Sequence, residues 1–361
     1  MKKCKIVTFS NSINYGAILQ AYALQEVCSR FADVQIINYK YESQKPKVKT
    51  PYAKKILYIV KKFLSKNFLY FMKNSKVERD KKRLLKHTKS YTNSTIKNIE
   101  QKDTVFIVGS DQVWNCNIHN MDGVFFLDFV IDGKAKNSYA ASFGIDHVPD
   151  KYFDDYKNFL KDFNKIAVRE SQGQSLVKEL IGKDVDVTLD PTLLLDKDNW
   201  NSLLSNEIKK EEPYILIYTL ERSNSLLKFA EMLSKKYNMK IKYLSTSLRK
   251  QINAEVIYSA GPIDFIRLFS NASYIVTNSF HGTVFSINFN KPFFVELLIN
   301  SHKVNSRLEH ILNVLDLNER KIENGECKNL DKAINYEVVN KTLNELKKDS
   351  LSYIESIFKD E

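Results

Sequence analysis

Ile6-Val7-Thr8-Phe9, followed by Asn14-Tyr15-Gly16-Ala17 and then by Val34-Gln35-Ile36-Ile37, is the stretch that sets the fold class. The first run is short and apolar, as a strand is. The glycine turn after it leads into residues 17–31, where Ile18, Leu19, Tyr22, Ala23 and Val27 recur at helical spacing. Strand, helix and strand in this order form a βαβ crossover, which belongs to a parallel sheet.

The same alternation continues outward. Thr104-Val105-Phe106-Ile107-Val108 reads as a buried strand ending in Gly109-Ser110-Asp111, and further strands are expected at residues 137–141, 165–168 and 186–189. Asp190-Pro191-Thr192 interrupts the pattern and reads as a turn without a catalytic role. A second α/β set is predicted from strands at 214–218, 240–244, 274–277 and 293–295, with a helix at 225–237. At 361 residues the chain exceeds what one core usually organises, and 43% hydrophobic residues supply two. The expected units are 1–196, with a basic helical insertion at 40–103, then 212–325, and a closing helix at 330–361. In that helix Val338, Leu343, Leu346, Leu351 and Ile354 are available for packing.

Composition excludes several function classes. No run approaches the ~18 uncharged apolar residues that span a bilayer. The opening segment reads as a strand and lacks a signal-peptide pattern. Cys4, Cys28, Cys116 and Cys327 stand apart without CxxC or Cys/His ligand spacing, so neither a disulfide framework nor a metal site is expected, and a reducing cytoplasm fits. The net charge of +12 is concentrated: residues 40–103 carry 19 Lys or Arg against 5 Asp or Glu, and the remainder is near neutral. No nucleic-acid partner is expected, because no motif interleaves these charges with aromatics. Residues 54–86 read as an amphipathic helix, with Ile56, Ile59, Val60, Phe63, Leu64 and Phe68 opposite lysines. Such a helix packs on its own domain or lies at an anionic membrane surface.

The polar residues with chemistry follow predicted strands, where open parallel sheets bind ligands. In Asn278-Ser279-Phe280-His281-Gly282 a strand stops and a helix opens, so its free N–H groups and the His281 imidazole suit an anion or a proton transfer; the alternative is that His281 only caps the helix. Arg169 offers a permanently charged fork for phosphate or carboxylate, or else pairs with a carboxylate of its own domain. Asn14, Tyr15 and Gly16 form a tight turn with close backbone approach. Ser110, Asp111, Gln112 and Trp114 combine a carboxylate, an amide and an aromatic in a set that suits a sugar, although Trp114 equally fits a core. Neither a GxSxG nucleophile elbow nor an HExxH metal motif occurs.

Taken together, the ordered segments Asn14-Tyr15-Gly16-Ala17-Ile18-Leu19-Gln20, Val108-Gly109-Ser110-Asp111-Gln112-Val113-Trp114-Asn115, Val168-Arg169-Glu170, Asp190-Pro191-Thr192-Leu193-Leu194 and Asn278-Ser279-Phe280-His281-Gly282 resemble the polysaccharide pyruvyl transferases over nearly the whole chain. The resemblance implies a GT-B-like fold of two Rossmann-like domains facing a cleft. It also implies transfer of pyruvate from phosphoenolpyruvate, as co-substrate and with no other cofactor, onto two hydroxyls of a saccharide acceptor. Arg169 and His281 would hold the donor, and the acceptor would lie near Gly16 and Asp111, with Asp111 as candidate base. Asn278, Ser279 and Gly282 would line the donor side. Better-understood members carry an arginine two positions before the histidine; Ser279 stands there, and Arg307 is the candidate replacement for its charge. The acceptor is expected to be a lipid-linked precursor at the inner membrane face. Two competing readings are a glycosyltransferase that uses a nucleotide sugar on the same two-domain shape, and a non-catalytic protein held on anionic surfaces by residues 40–103.

Overall fold

The computed structural model describes residues 2–40, 66–204, 211–245, 252–298 and 302–359, with side chains omitted at 66–71 and 302–304. Two five-stranded parallel sheets organise it. The first runs β3-β2-β1-β4-β5, from β1 (Lys3–Val7), β2 (Asp33–Tyr39), β3 (His87–Tyr91), β4 (Thr104–Val108) and β5 (Lys136–Ser138). Beyond β5 lies a two-stranded parallel extension, β6 (Ala167–Val168) with β7 (Asp186–Val187), joined through single bridges such as Ala141 to Val168. The second sheet repeats the first order as β10-β9-β8-β11-β12, from β8 (Tyr214–Tyr218), β9 (Lys240–Leu244), β10 (Glu255–Ile257), β11 (Tyr274–Thr277) and β12 (Phe293–Val295). The helices that matter below are α1 (Tyr15–Cys28), α2 (Lys66–Leu84), α3 (Ser171–Ile181), α4 (Asn224–Tyr237), α5 (Pro262–Asn271), α6 (Phe280–Asn288), α7 (His302–Val314) and α8 (Tyr336–Phe358). This is the expected α/β architecture, GT-B-like in its two Rossmann-like lobes.

In each sheet the order reverses beside the first strand, between β1 and β4 and between β8 and β11. Loops leaving those strand pairs diverge to opposite faces and open a crevice at the carboxyl ends. The registers, Val7 with Val108 and Tyr218 with Thr277, end the paired strands level, so the residues after them emerge side by side.

The lobes share one apolar core. It runs from Ile18, Leu19 and Leu24 on α1, through Trp200, to Phe265 and Phe269 on α5 and Phe285 on α6. Tyr15 packs 5.3 Å from Phe265, and Trp200 packs 5.9 Å from Tyr22 and 5.0 Å from Phe285 between ring centroids. Trp200 Nε1 also donates to the Thr192 carbonyl.

Helix α8 folds back onto the first lobe: Phe358 stacks on Phe31, Tyr353 donates to Ser138 O, and the Leu189 amide donates to Ser350 Oγ. Its buried residues are Val339, Leu343, Ser350, Ile354, Ile357 and Phe358. Val338, expected in the packed face, is instead exposed. The described part of the basic insertion packs on the protein itself. On α2, Asp80 accepts from the Ile263 amide and Lys76 pairs with Asp264, both on α5. The expected apolar positions Ile56, Ile59, Val60, Phe63 and Leu64 lie outside the described residues, and nothing is described of the Phe68 side chain. Among the described residues no helix is long and apolar enough to cross a membrane, and no cluster of His, Cys, Asp or Glu forms a metal site.

Trp200→Ala removes a fully buried indole that three helical segments share, so a loss of about 3–5 kcal/mol is expected. A lowered denaturant midpoint with an unchanged slope is the result that checks it.

Candidate functional site

A cleft of about 710 Å³ opens between the lobes. The first lobe contributes residues that leave its strands: Thr8 and Phe9 after β1, Asn38, Tyr39 and Lys40 at the end of β2, and Asp111 and Gln112 after β4. The second lobe contributes Leu220 after β8, Asn278, Ser279, Phe280 and His281 after β11, and Arg307 from α7.

His281 occupies the floor. It lies in the first turn of α6, where Ser279 is the N-cap and accepts from the Gly282 amide at 3.4 Å. Cap formation is therefore the work of Ser279, and the imidazole is released toward the first lobe. There it lies flat against Gly16: a Cβ at that position would be 2.1 Å from His281 Nδ1. Gly282 is needed for a similar reason, since its Cβ would meet Thr277 Oγ1 at 2.3 Å. His281 is 7% exposed, and its Nε2 has no hydrogen-bond partner. Burial pulls its pKa below the ordinary histidine value against the opposing pull of Asp190 and Asp111, so the ring is neutral at pH 7.

Beneath His281 lies a buried charge cluster. Arg169, at the end of β6, donates from Nη1 to Asp190 Oδ2 at 2.7 Å and lies 3.5 Å from Asp111 Oδ1 and 3.7 Å from Glu170 Oε2. Asp190 Oδ2 is also 3.9 Å from His281 Nε2 and accepts from Ser110 Oγ at 3.3 Å. Its Oδ1 accepts from the amide and hydroxyl of Thr192. Burial opposes ionisation of Asp190, but His281, Arg169 and these hydrogen bonds hold its carboxyl below the usual range. Burial likewise opposes Asp111, and Arg169, His281 and Arg307 win, so Asp111 is ionised too. Burial pushes the Glu170 carboxyl up, against the pull of Arg169, Arg307 and the hydrogen bond from Ser142.

Arg307 is a buried cation that lines the open cleft. Nη1 lies 3.5 Å from Asp111 Oδ1 and, with the Gln112 carboxamide oxygen turned toward it, 3.3 Å from Gln112. Its guanidinium and that of Arg169 both sit over the Phe280 ring, at 5.7 and 4.8 Å from the centroid. Burial and the like charge of Arg169 bring its pKa down to about 10.

The structure thus gathers His281, Arg169, Asp111, Ser110, Gln112, Ser279, Gly16, Gly282 and Arg307 at one place, and corrects several expected roles. Asp190, read as a turn only, does start a 3₁₀ turn at Pro191–Leu193 and is also the anion between Arg169 and His281. Arg169 takes the self-paired alternative and borders a separate cavity, while Arg307 faces the cleft. Trp114 does not reach the cleft: it is fully buried, stacks on Phe126, and donates from Nε1 to Phe125 O. Tyr15 turns away as well, donating to Ala260 O in the interlobe core. Asn278 lines the cleft but spends its carboxamide on Leu220 N and Glu221 O, fastening β11 to the end of β8. The wall of Phe9, Tyr39 and Phe125 went unread, because nothing local distinguishes these aromatics from core residues.

Comparison with known proteins settles the relationship. The polysaccharide pyruvyl transferase family matches residues 14–296. The chain belongs to that family. Polysaccharide pyruvyl transferases are transferases of pyruvyl type, and the motifs of residues 14–24, 108–115, 168–170, 190–194 and 278–282 all fall within the matched span. No curated protein matches the sequence. Among solved structures, the S. aureus MnaA–UDP co-structure is similar at 15% identity and a TM-score of 0.48, covering 96% of this chain and 88% of that one. The UDP-GlcNAc 2-epimerase of Methanocaldococcus jannaschii is similar at 12% identity and a TM-score of 0.47, covering 95% and 92%. An α-glucosyltransferase in complex with UDP and a 13-mer DNA is similar at 7% identity and a TM-score of 0.48, covering 98% and 95%. These likenesses concern the course of the chain and say nothing of substrate.

His87, His119, His281 and His310 are all held below the ordinary histidine pKa, burial being the first cause in each. The unfolded chain therefore binds more protons as pH falls through about 6.5. Unfolding free energy is expected to drop from pH 7 to pH 5, which a series of denaturant titrations measures. Gly16→Ala displaces the His281 ring, and its NMR titration midpoint is expected to rise toward 6.5.

Proposed function

We propose that the protein is a ketal pyruvyl transferase that uses phosphoenolpyruvate as donor and two hydroxyls of a surface-polysaccharide precursor as acceptor. The observation that carries this reading is a cleft that brings a buried guanidinium, Arg307, together with an imidazole, His281, whose Nε2 is unpartnered, beside the ionised Asp111. Arg307 has a depressed pKa beside Arg169, and His281 is neutral with Nε2 unpartnered. An anionic donor offers acceptor atoms to both groups. The cleft volume exceeds what a three-carbon donor fills, and its Phe9, Tyr39 and Phe125 wall suits the apolar face of a sugar ring.

In this reading the donor's methylene carbon takes a proton and the neighbouring carbon becomes cationic. A sugar hydroxyl attacks there and gives its proton to Asp111, which is ionised and lines the cleft. Phosphate leaves with its charge offset by the arginines and with a hydrogen bond from His281, and a second hydroxyl closes the ketal. One hydroxyl proton ends on the methyl carbon and the other on phosphate. The +14 of residues 40–103 supports a lipid-linked acceptor at an anionic, inner membrane face.

The test is phosphate release from phosphoenolpyruvate with a panel of diol-bearing oligosaccharides. His281→Ala and Arg307→Met are each expected to lower the rate by about 10²-fold or more, the range of one lost proton-transfer or electrostatic contact. A thermal shift with UDP or CMP and none with phosphoenolpyruvate would instead favour a nucleotide-sugar transferase. Salt-sensitive sedimentation with anionic liposomes checks the membrane component.

A further inference from the structure

Phe9 enters the cleft just after β1, on the side where Asp111 follows β4. The two strands end level, Val7 beside Val108, and Thr8 Oγ1 donates to the Ser110 carbonyl, so the ring and the carboxylate emerge from adjacent strand ends. Phe9 is half-buried, and its centroid lies 4.9 Å from that of Phe125, which in turn stacks on His119 at 4.6 Å. His119 Nδ1 accepts from the Asp122 amide, so the ring proton is on Nε2, which donates to the Val113 carbonyl. Tyr39 meets Phe125 edge-on at 6.1 Å, and its hydroxyl donates to Asp122. The open ring of Phe9 is therefore held from behind by packed, hydrogen-bonded neighbours.

The polar lining around Phe9 is uncharged. Asn11 Nδ2 donates to Asn38 Oδ1 and to the Tyr39 carbonyl, Asn14 Oδ1 accepts from the Gly16 amide, and Ser12 Oγ accepts from the Asn14 amide. These bonds leave Asn11 Oδ1, Asn38 Nδ2, Asn14 Nδ2 and the Ser12 hydroxyl proton for a ligand. Acceptors and donors both remain, which matches alcohol groups, since each hydroxyl gives one proton and accepts others. The ionised Asp111 at the same strand ends repels an anionic group. An aromatic ring bordered by neutral hydrogen-bonding groups suits a pyranose, which has C–H bonds on its face and hydroxyls at its edge.

We infer that Phe9 is the stacking platform for a neutral pyranose ring of the acceptor and sets which of its hydroxyls reaches Asp111. The inference rests on the reading of the cleft as a saccharide site and adds the residue that selects the sugar. Selection works through shape and charge. A pyranose with an open C–H face lies flat on Phe9, whereas a hexuronic acid brings a second carboxylate toward Asp111. Phe9 takes no part in proton transfer, so its role is one of positioning.

Saturation-transfer NMR on the full chain, without phosphoenolpyruvate, measures binding of methyl glycosides of neutral hexopyranoses and of a hexuronic acid. Irradiating the aromatic protons of the wild type is expected to saturate the ring C–H protons of a neutral glycoside and to give no signal from the hexuronide. Phe9→Leu keeps the bulk and removes the ring; it is expected to weaken binding by about 2- to 10-fold, the worth of one aromatic contact. Phe9→Tyr is expected to restore it. Spectra without ligand show whether each variant is folded, and the wild-type comparison of neutral with acidic glycosides decides the matter if Phe9→Leu is not. Equal binding of the hexuronide, unchanged affinity in folded Phe9→Leu, or no neutral glycoside bound would overturn the inference. Because no donor is present, the expected binding without phosphate release in the transferase assay would count against pyruvyl transfer alone.

Discussion

The carboxylate of Asp190 is a full negative charge with no exposed side-chain surface. Taking such a group out of water costs several kcal/mol unless every lone pair is met. Arg169 Nη1, Ser110 Oγ and the amide and hydroxyl of Thr192 meet them. The consequences extend beyond the ion pair. Ser110 follows β4, Arg169 follows β6, and Asp190 follows β7, so one carboxylate fixes how three strand ends of the first lobe converge. The Thr192 carbonyl then accepts from Trp200 Nε1 and from Asn288 Nδ2 at the end of α6. Through that turn the charge cluster is coupled to α6, whose first turn carries His281, and the imidazole's place follows from it.

The interlobe contact is apolar and continuous, which argues for a fixed cleft floor. Lobes joined by a small polar surface move readily; a large hydrophobic junction resists it. Here Tyr15, Trp200, Phe265 and Phe285 make the junction directly behind His281 and Gly16. Gly16 contributes by what it lacks, since any side chain would occupy the imidazole's position. The tight turn and the histidine, 265 residues apart in sequence, are therefore one structural unit.

Much of the fold was legible because central parallel strands are buried on both faces and read as apolar runs. Edge strands give no such signal: β3, His-Thr-Lys-Ser-Tyr, is largely polar and half exposed, and it passed unread. The strand expected at 137–141 stops at Ser138, since Ala140 takes a positive φ and the chain turns to deliver Ala141 to Asp111 and Val168. On α8 the register of packing separated Val338 from Val339, because successive helical residues point about 100° apart. The site was legible to the extent that its residues follow strands. Asp190 met that same criterion after residues 186–189, but a proline next to it gave a sufficient reason for a turn. Trp114 stands among polar neighbours in sequence, and only tertiary packing turns it inward to Phe126 and Phe143.

Ser279 decides which groups the start of α6 can present to the cleft. An arginine there would face the cleft from the start of α6, but it could not accept from the helix amides as serine does. With Ser279 as cap, the first turn of α6 is secured and the second guanidinium arrives from α7 as Arg307. Phe280 then acquires a definite role, because its ring lies under both guanidiniums and its quadrupole offsets part of the repulsion between two cations that share Asp111. Its place on α7 also sets Arg307 between the open cleft and the separate cavity of about 170 Å³ behind Phe280.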